Sequence, residues 1–199
     1  MNIFYLDHNP KLCAEYHVDR HCVKMILEYA QLLSTAHRVL EGKEVIQKRY
    51  VNGSFPARFR NVKVWELTDF REKVLYSATH INHPSAVWVR QSIYNYMWLS
   101  NLLVELCKEY TYRYGKIHKA EREGLIQMLW EVVPDNIPHT EFTEPTPAMP
   151  KDVIISNDSL SSYRNYYNLN KQHLANWSGK INSRKIPTWY QIRSDNAIV

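Results

Sequence analysis

The stretch HVDRHCVKMILEYAQLLSTAHRV, residues 17–39, decides how the chain is read. Cys22, Met25, Ile26, Tyr29, Leu32, Leu33, Ala36 and Val39 recur at the i, i+3, i+4, i+7 spacing of one helix face. A second row at the same spacing holds His17, His21, Lys24, Glu28, Gln31 and Thr35. The apolar row predicts a helix that packs into a core. The polar row has two readings. It can be a solvated face on which Lys24 and Glu28 form an ordinary i, i+4 pair, in the less favoured order. Or it can be an amine beside a carboxylate in a cleft, where a neutral amine attacks a sugar or carbonyl carbon and the acid shuttles the proton. In the second reading the lysine pKa has to fall from about 10.4, and Arg20 and His21 are the neighbours that would lower it.

Working outward, Asn9-Pro10 predicts the start of this helical region and Gly42 its end, with a break near Val18 to Arg20. The opening MNIFYL is a short strand or a tucked-in arm. Residues 43–66 read as an irregular basic loop with turn signals at NGSFPA. Lys43, Lys48, Arg49, Arg58, Arg60 and Lys63 stand there against Glu44 and Glu66. Such a loop faces either a polyanion or plain solvent. A helix is expected near 67–78. A long one should run from His83-Pro84 to Tyr114, where Gly115 ends it, and a short one over 119–133. The prolines at 134, 138, 145, 147 and 150 make 132–156 an extended loop. Asn157 or Asp158 caps a last helix to about Trp177, and 178–199 forms a basic, aromatic tail that includes Arg193. No segment alternates convincingly as a strand. The fold class is mainly α: one domain over 1–199, a helical bundle with long Pro-rich and basic loops.

Composition narrows the function. The chain has 199 residues, 45% of them hydrophobic, enough to bury a core. Its five glycines form neither G-x-G-x-x-G nor G-x-x-x-x-G-K, which argues against a glycine-rich phosphate loop. A formal charge of +5 suits nucleic acid without proving it. Cys13, Cys22 and Cys107 sit at no metal-ligand spacing and read as reduced thiols of a cytoplasmic protein. The start lacks the pattern of a signal peptide, and no apolar run reaches the roughly 18 residues of a membrane span. The 14 Tyr and 6 Trp interleave with basic residues in SAVWVRQSIYNYMW, EYTYRYGK and RKIPTWYQIR. That texture serves a phosphate backbone with stacked bases, and it serves helix packing equally. The histidine pairs His17/His21 and His80/His83 have the spacing to hold a metal, with Asp7 and Asp19 as further oxygens, but there is no H-E-x-x-H.

Read together, MNIFYL, INHPSAVWVR (81–90), LVELCKEYTYRYGK (103–116), SLSSYRNYYNLNKQHLANW (159–177) and IPTWYQ (186–191) resemble the pyrimidine dimer DNA glycosylase family of the phage endonuclease V type. The His-Pro turn and the Pro-Thr-Trp-Tyr segment are its more specific parts. The resemblance implies a phage or bacterial setting. It implies flipping or distortion of a damaged site in DNA, attack by an amine, an imine with the sugar and β-elimination, with no cofactor. It matches Glu28 to the family glutamate. It places Arg20, Arg38, His80, His83, Trp88 and Arg90 on the nucleic acid, with Arg113, Lys116, Arg184, Lys185, Trp189 and Tyr190. The family uses the α-amine of a threonine exposed by removal of Met1. Here Asn2 follows, a residue bulky enough to keep the methionine, so the amine is that of Met1 or Lys24. His21 would line the same cleft. Two other classes stay open: a non-catalytic nucleic-acid-binding module, and a metal-dependent nucleotide hydrolase using His17, His21, His80 or His83.

Overall fold

The computed structural model describes residues 1–50, 56 and 58–192. The turn expected over NGSFPA lies outside them except for Pro56, as do Arg193 and Asp195 of the tail. The architecture is mainly α, with one small antiparallel sheet among the described residues.

The chain enters as an arm rather than a strand, with Ile3, Phe4, Tyr5 and Leu6 all buried. Helix α1 (Pro10–Tyr16) is capped by Asn9, whose side chain accepts from the Lys11 and Leu12 amides. The predicted break falls at His17 and Val18, and α2 then runs Asp19–Glu41. Its apolar row enters a cluster shared with Leu99, Leu102, Leu103 and Leu106 of α5 (Ile93–Tyr114) and with α4 (Pro84–Val89). Trp88 therefore belongs to α4. The expected continuous helix is interrupted because Asn95 Nδ2 takes the Trp88 carbonyl and Ser92 caps α5 from Tyr94 N. Gly115, at φ 63, ends α5 where it was expected to end.

Residues 43–50 and 59–66 are not irregular. They form β1 (Lys43–Tyr50) and β2 (Phe59–Glu66), paired from Lys43↔Glu66 to Tyr50↔Phe59. The alternation is weak because only Val45, Gln47, Val62, Val64 and Trp65 are covered at all, and of these only Val64 counts as buried. The helix expected over 67–78 shrinks to α3 (Arg71–Val74). Arg38 draws the carbonyls of Glu72, Leu75 and Tyr76 to its guanidinium, and that holds the following backbone out of a helix.

Gly124, at φ 79, splits the 119–133 segment into α6 (Lys119–Arg122) and α7 (Leu125–Glu131). Residues 132–150 carry no helix or strand, and a 3-10 turn follows at Lys151–Val153. Asp158 caps α8 (Ser159–Asn170). That helix stops short of Trp177 because the chain tightens into a 3-10 turn at Gln172–Leu174. There Gln172 Nε2 binds the Asn168 carbonyl at 2.5 Å.

Candidate active site

Glu28 stands at the meeting point of α2 and the N-terminal arm. Its Oε1 lies 3.0 Å from Lys24 Nζ. Its Oε2 lies 3.9 Å from the Met1 amine and accepts the Asn2 amide at 3.2 Å. The carboxylate is 16% exposed, whereas Lys24 is 70% exposed. One carboxylate thus holds two amines from residues far apart in the chain.

The arm is pinned there by its second residue. Asn2 Oδ1 accepts from the Tyr163 hydroxyl at 2.7 Å and from the Ile3 amide at 2.8 Å, and Asn2 Nδ2 donates to the Ala148 carbonyl at 2.9 Å. One residue after Glu28, the Tyr29 hydroxyl accepts the Phe4 amide at 3.2 Å and lies 2.7 Å from His17 Nε2. His17 Nδ1 sits 2.6 Å from the Cys13 carbonyl, so Nδ1 carries the proton and Nε2 accepts from Tyr29. Burial pushes the His17 pKa down to about 4, which fits this neutral form.

His83 flanks the same place. Its Nδ1 accepts the Ser85 amide as the cap of α4, which leaves the proton on Nε2. Its pKa is lowered, first by burial and then by the charges of the Met1 amine and His80, with Glu28 pulling the other way. His80 is exposed and holds φ 50, a conformation rare for a residue with a side chain. Arg20 is exposed one turn before Lys24.

Of the residues expected to share the cleft, Lys24 and the Met1 amine lie against Glu28. His21 does not join them. It turns inward, stacks on Phe4 at 4.1 Å and lies 2.6 Å from the Tyr167 hydroxyl. Burial depresses its pKa to about 2, so it stays neutral. His17 has both ring nitrogens engaged, and Asp7 and Asp19 are held by Arg164 and Arg113. Among the described residues no group of three or more His, Cys, Asp or Glu side chains is placed to hold a metal ion.

Several expected nucleic-acid contacts are structural instead. Arg38 is buried and clamps Glu72 and the carbonyls of Trp65, Glu72, Leu75 and Tyr76. Trp88 is buried, with its indole N–H on Thr143. Arg113 is fully buried between Glu109 (2.6 Å) and Asp19 (2.9 Å), and it donates to the carbonyls of Glu15 and His17. Arg184 folds back onto Glu109 at 2.8 Å and covers the Tyr112 ring. Trp189 lies under Arg164, and Tyr190 packs edge-on against Trp177. Arg90 is half-buried, with Nη1 on the Ala86 carbonyl. Lys116 and Lys185 are exposed and form no ion pair among the described residues. Cys13, Cys22 and Cys107 are free thiols, all buried, and burial raises the pKa of each.

The sequence reading missed Val23 and Leu27, both exposed on α2 among Arg20, Lys24 and Glu28. Their signal was present, because they fall off the apolar row and onto the side of the polar one. It also missed Asn2 and Tyr163, which only long-range contacts identify.

Compared with protein-family models, with curated proteins and with solved structures, the chain matches none of them. No helix among the described residues is long and apolar enough to cross a membrane.

Proposed function

We propose that the protein is a DNA base-excision enzyme, a glycosylase and abasic-site lyase that works through an amine nucleophile. The observation that supports this reading is the Glu28 carboxylate, which lies between the Met1 amine and Lys24 Nζ. A neutral amine attacks C1′ of a damaged nucleotide. The C1′–N bond to the base breaks, and its electron pair leaves with the base, which takes up a proton. The attached amine gives up a proton, its lone pair forms the C1′=N imine as the C1′–O4′ bond breaks, and O4′ takes up a proton as the sugar ring opens. Removal of a C2′ proton then expels the 3′ phosphate, and water releases the sugar. Glu28 is placed to receive the amine's proton and to steady positive charge at the sugar. The target has to leave the base stack to reach such a group, and the exposed Val23 and Leu27 offer apolar surface beside the opening. The route uses no cofactor.

A second reading has one observation in its favour. The 70% exposure of Lys24 suits an ordinary surface pair, and the chain would then be a non-catalytic nucleic-acid-binding module. Borohydride trapping separates the two. The protein is incubated with duplex DNA that carries an abasic site or ultraviolet photoproducts, with chelator present. A covalent adduct that maps to Met1 or Lys24 supports the lyase and names the nucleophile. Salt-sensitive binding without an adduct overturns it in favour of the binding module.

A further inference from the structure

We infer that the hairpin β1–β2 is an arm that enters the major groove of B-form DNA, with Lys48, Arg49 and Arg60 as its contacts. This rests on the nucleic-acid reading for its partner, but not on the lyase chemistry.

The arm's charge is sorted along its length. Glu44 and Glu66 lie at the root, where Glu44 pairs with Lys63 at 2.7 Å and Glu66 accepts from Gln47 at 2.7 Å. Farther out, strand positions 48–50 and 59–61 hold no acid. Lys48, Arg49 and Arg60 form no ion pair among the described residues. The register sets Arg49 directly opposite Arg60, an arrangement that destabilises a bare hairpin and that a polyanion relieves. Among the described residues Arg49 has only the Gln47 side chain, at 3.4 Å.

The two faces of the ribbon are both equipped. Arg49 and Arg60 continue the row of Val45, Gln47, Val62 and Val64 beyond the body. Lys48 lies on the opposite face with Ile46, Tyr50 and Phe59. Ile46 and Phe59 are 67% and 66% exposed. Cations on both faces suit a ribbon seated between two phosphate-lined walls, and exposed apolar groups suit thymine methyls. Two strands about 4.8 Å apart, with their side chains, fit a groove roughly 12 Å wide. The deep, narrow major groove of duplex RNA does not admit them. The root is firm. Arg38 Nη1 donates to the Trp65 carbonyl at 2.7 Å, and a Cβ at Gly42 would lie 2.4 Å from the Arg38 carbonyl oxygen. The arm is therefore anchored to α2 at its root.

The test uses the full chain and the double variant Arg49→Ser/Arg60→Ser, its fold checked by circular dichroism and thermal midpoint. Binding to a DNA duplex of about 20 base pairs and to an RNA duplex of the same sequence is measured across a salt series. The expected result is a loss of roughly 10- to 100-fold in DNA affinity and a salt slope shallower by about 2 in the variant. Arg49→Lys/Arg60→Lys should keep the slope. RNA should bind more weakly and respond little to either change. Parent-like DNA binding by the serine variant overturns the arm, as does equal loss on RNA, and so does tight binding of the parent to neither duplex. Borohydride trapping on the same proteins keeps the two ideas apart. An absent adduct with arm-dependent binding removes only the lyase, and a normal adduct with arm-independent binding removes only the arm.

Discussion

The hairpin and the tail are both basic stretches, and they spend their charge differently. In the tail, Arg184 returns to the body and joins Arg113 on Glu109, with Asp19 and Glu15 close by. In the hairpin, Arg49 and Arg60 oppose one another across the strands. The first set is neutralised inside the protein and is part of its stability. The second has no acid beside it among the described residues. A count of lysines and arginines cannot tell these apart, because the deciding carboxylates lie far away in sequence or are absent.

The sharpest way to break this contrast is Arg113→Ala. It takes the buried partner from Asp19 and four hydrogen bonds from the core, leaves Glu109 only the partly solvated Arg184, and is expected to cost about 3 kcal/mol. A chemical denaturation curve shifted by less than about 1 kcal/mol would mean that the cluster is not part of the protein's stability. Acid probes the same region. The His17 backbone carbonyl accepts from Arg113, and the imidazole pKa of His17 lies near 4, as does that of His37, with His21 near 2. Folded values below the ordinary 6.5 mean that the unfolded chain takes up protons first. The stability from burying neutral imidazole is full above pH 6.5 and is lost as the pH falls towards 4, at up to about 1.4 kcal/mol per unit for each group. A thermal midpoint that stays level from pH 7 to pH 4 would contradict this.

Arg184→Ala should be milder, on the order of 1–3 kcal/mol, since the guanidinium is partly solvated and Arg113 still answers Glu109. Arg49→Ser and Arg60→Ser should change stability by less than about 0.5 kcal/mol each. A rise is the expected direction, because an opposed like-charge pair is removed. If the hairpin variants destabilise as much as the tail variant, the contrast fails. On the chemical side, Glu28→Gln should slow adduct formation by about 10²- to 10⁴-fold with little change in DNA affinity.

Much of the helical frame was legible because its signals are local. Asn9-Pro10, His83-Pro84, Asp158 and Gly115 cap or stop helices through their own backbone neighbours. The Lys24–Glu28 pair was legible for the same reason, being one helical turn apart. The hairpin was not legible. Its strands leave most of both faces exposed, so Lys43–Tyr50 shows no clean period of two. Arg38, Arg113 and Trp88 were assigned outward because their partners are backbone carbonyls and acids brought in by the fold. His21 shares the spacing of the polar row but sits at its inner margin, where Phe4 and Tyr167 enclose it. The Met1 amine reaches Glu28 only because Asn2 and Phe4 are bound by Tyr163 and Tyr29.

Helix α2 carries both Glu28 and, at its end, the Gly42 elbow from which the hairpin departs. At about 1.5 Å per residue the stretch between them spans roughly 21 Å, the rise of about six base pairs of DNA. A helix cannot stretch, so on the proposed readings it serves as a ruler. Contact by the arm and cleavage by the amine would keep a set offset along the duplex, and protection of the strand would be lopsided about the cut.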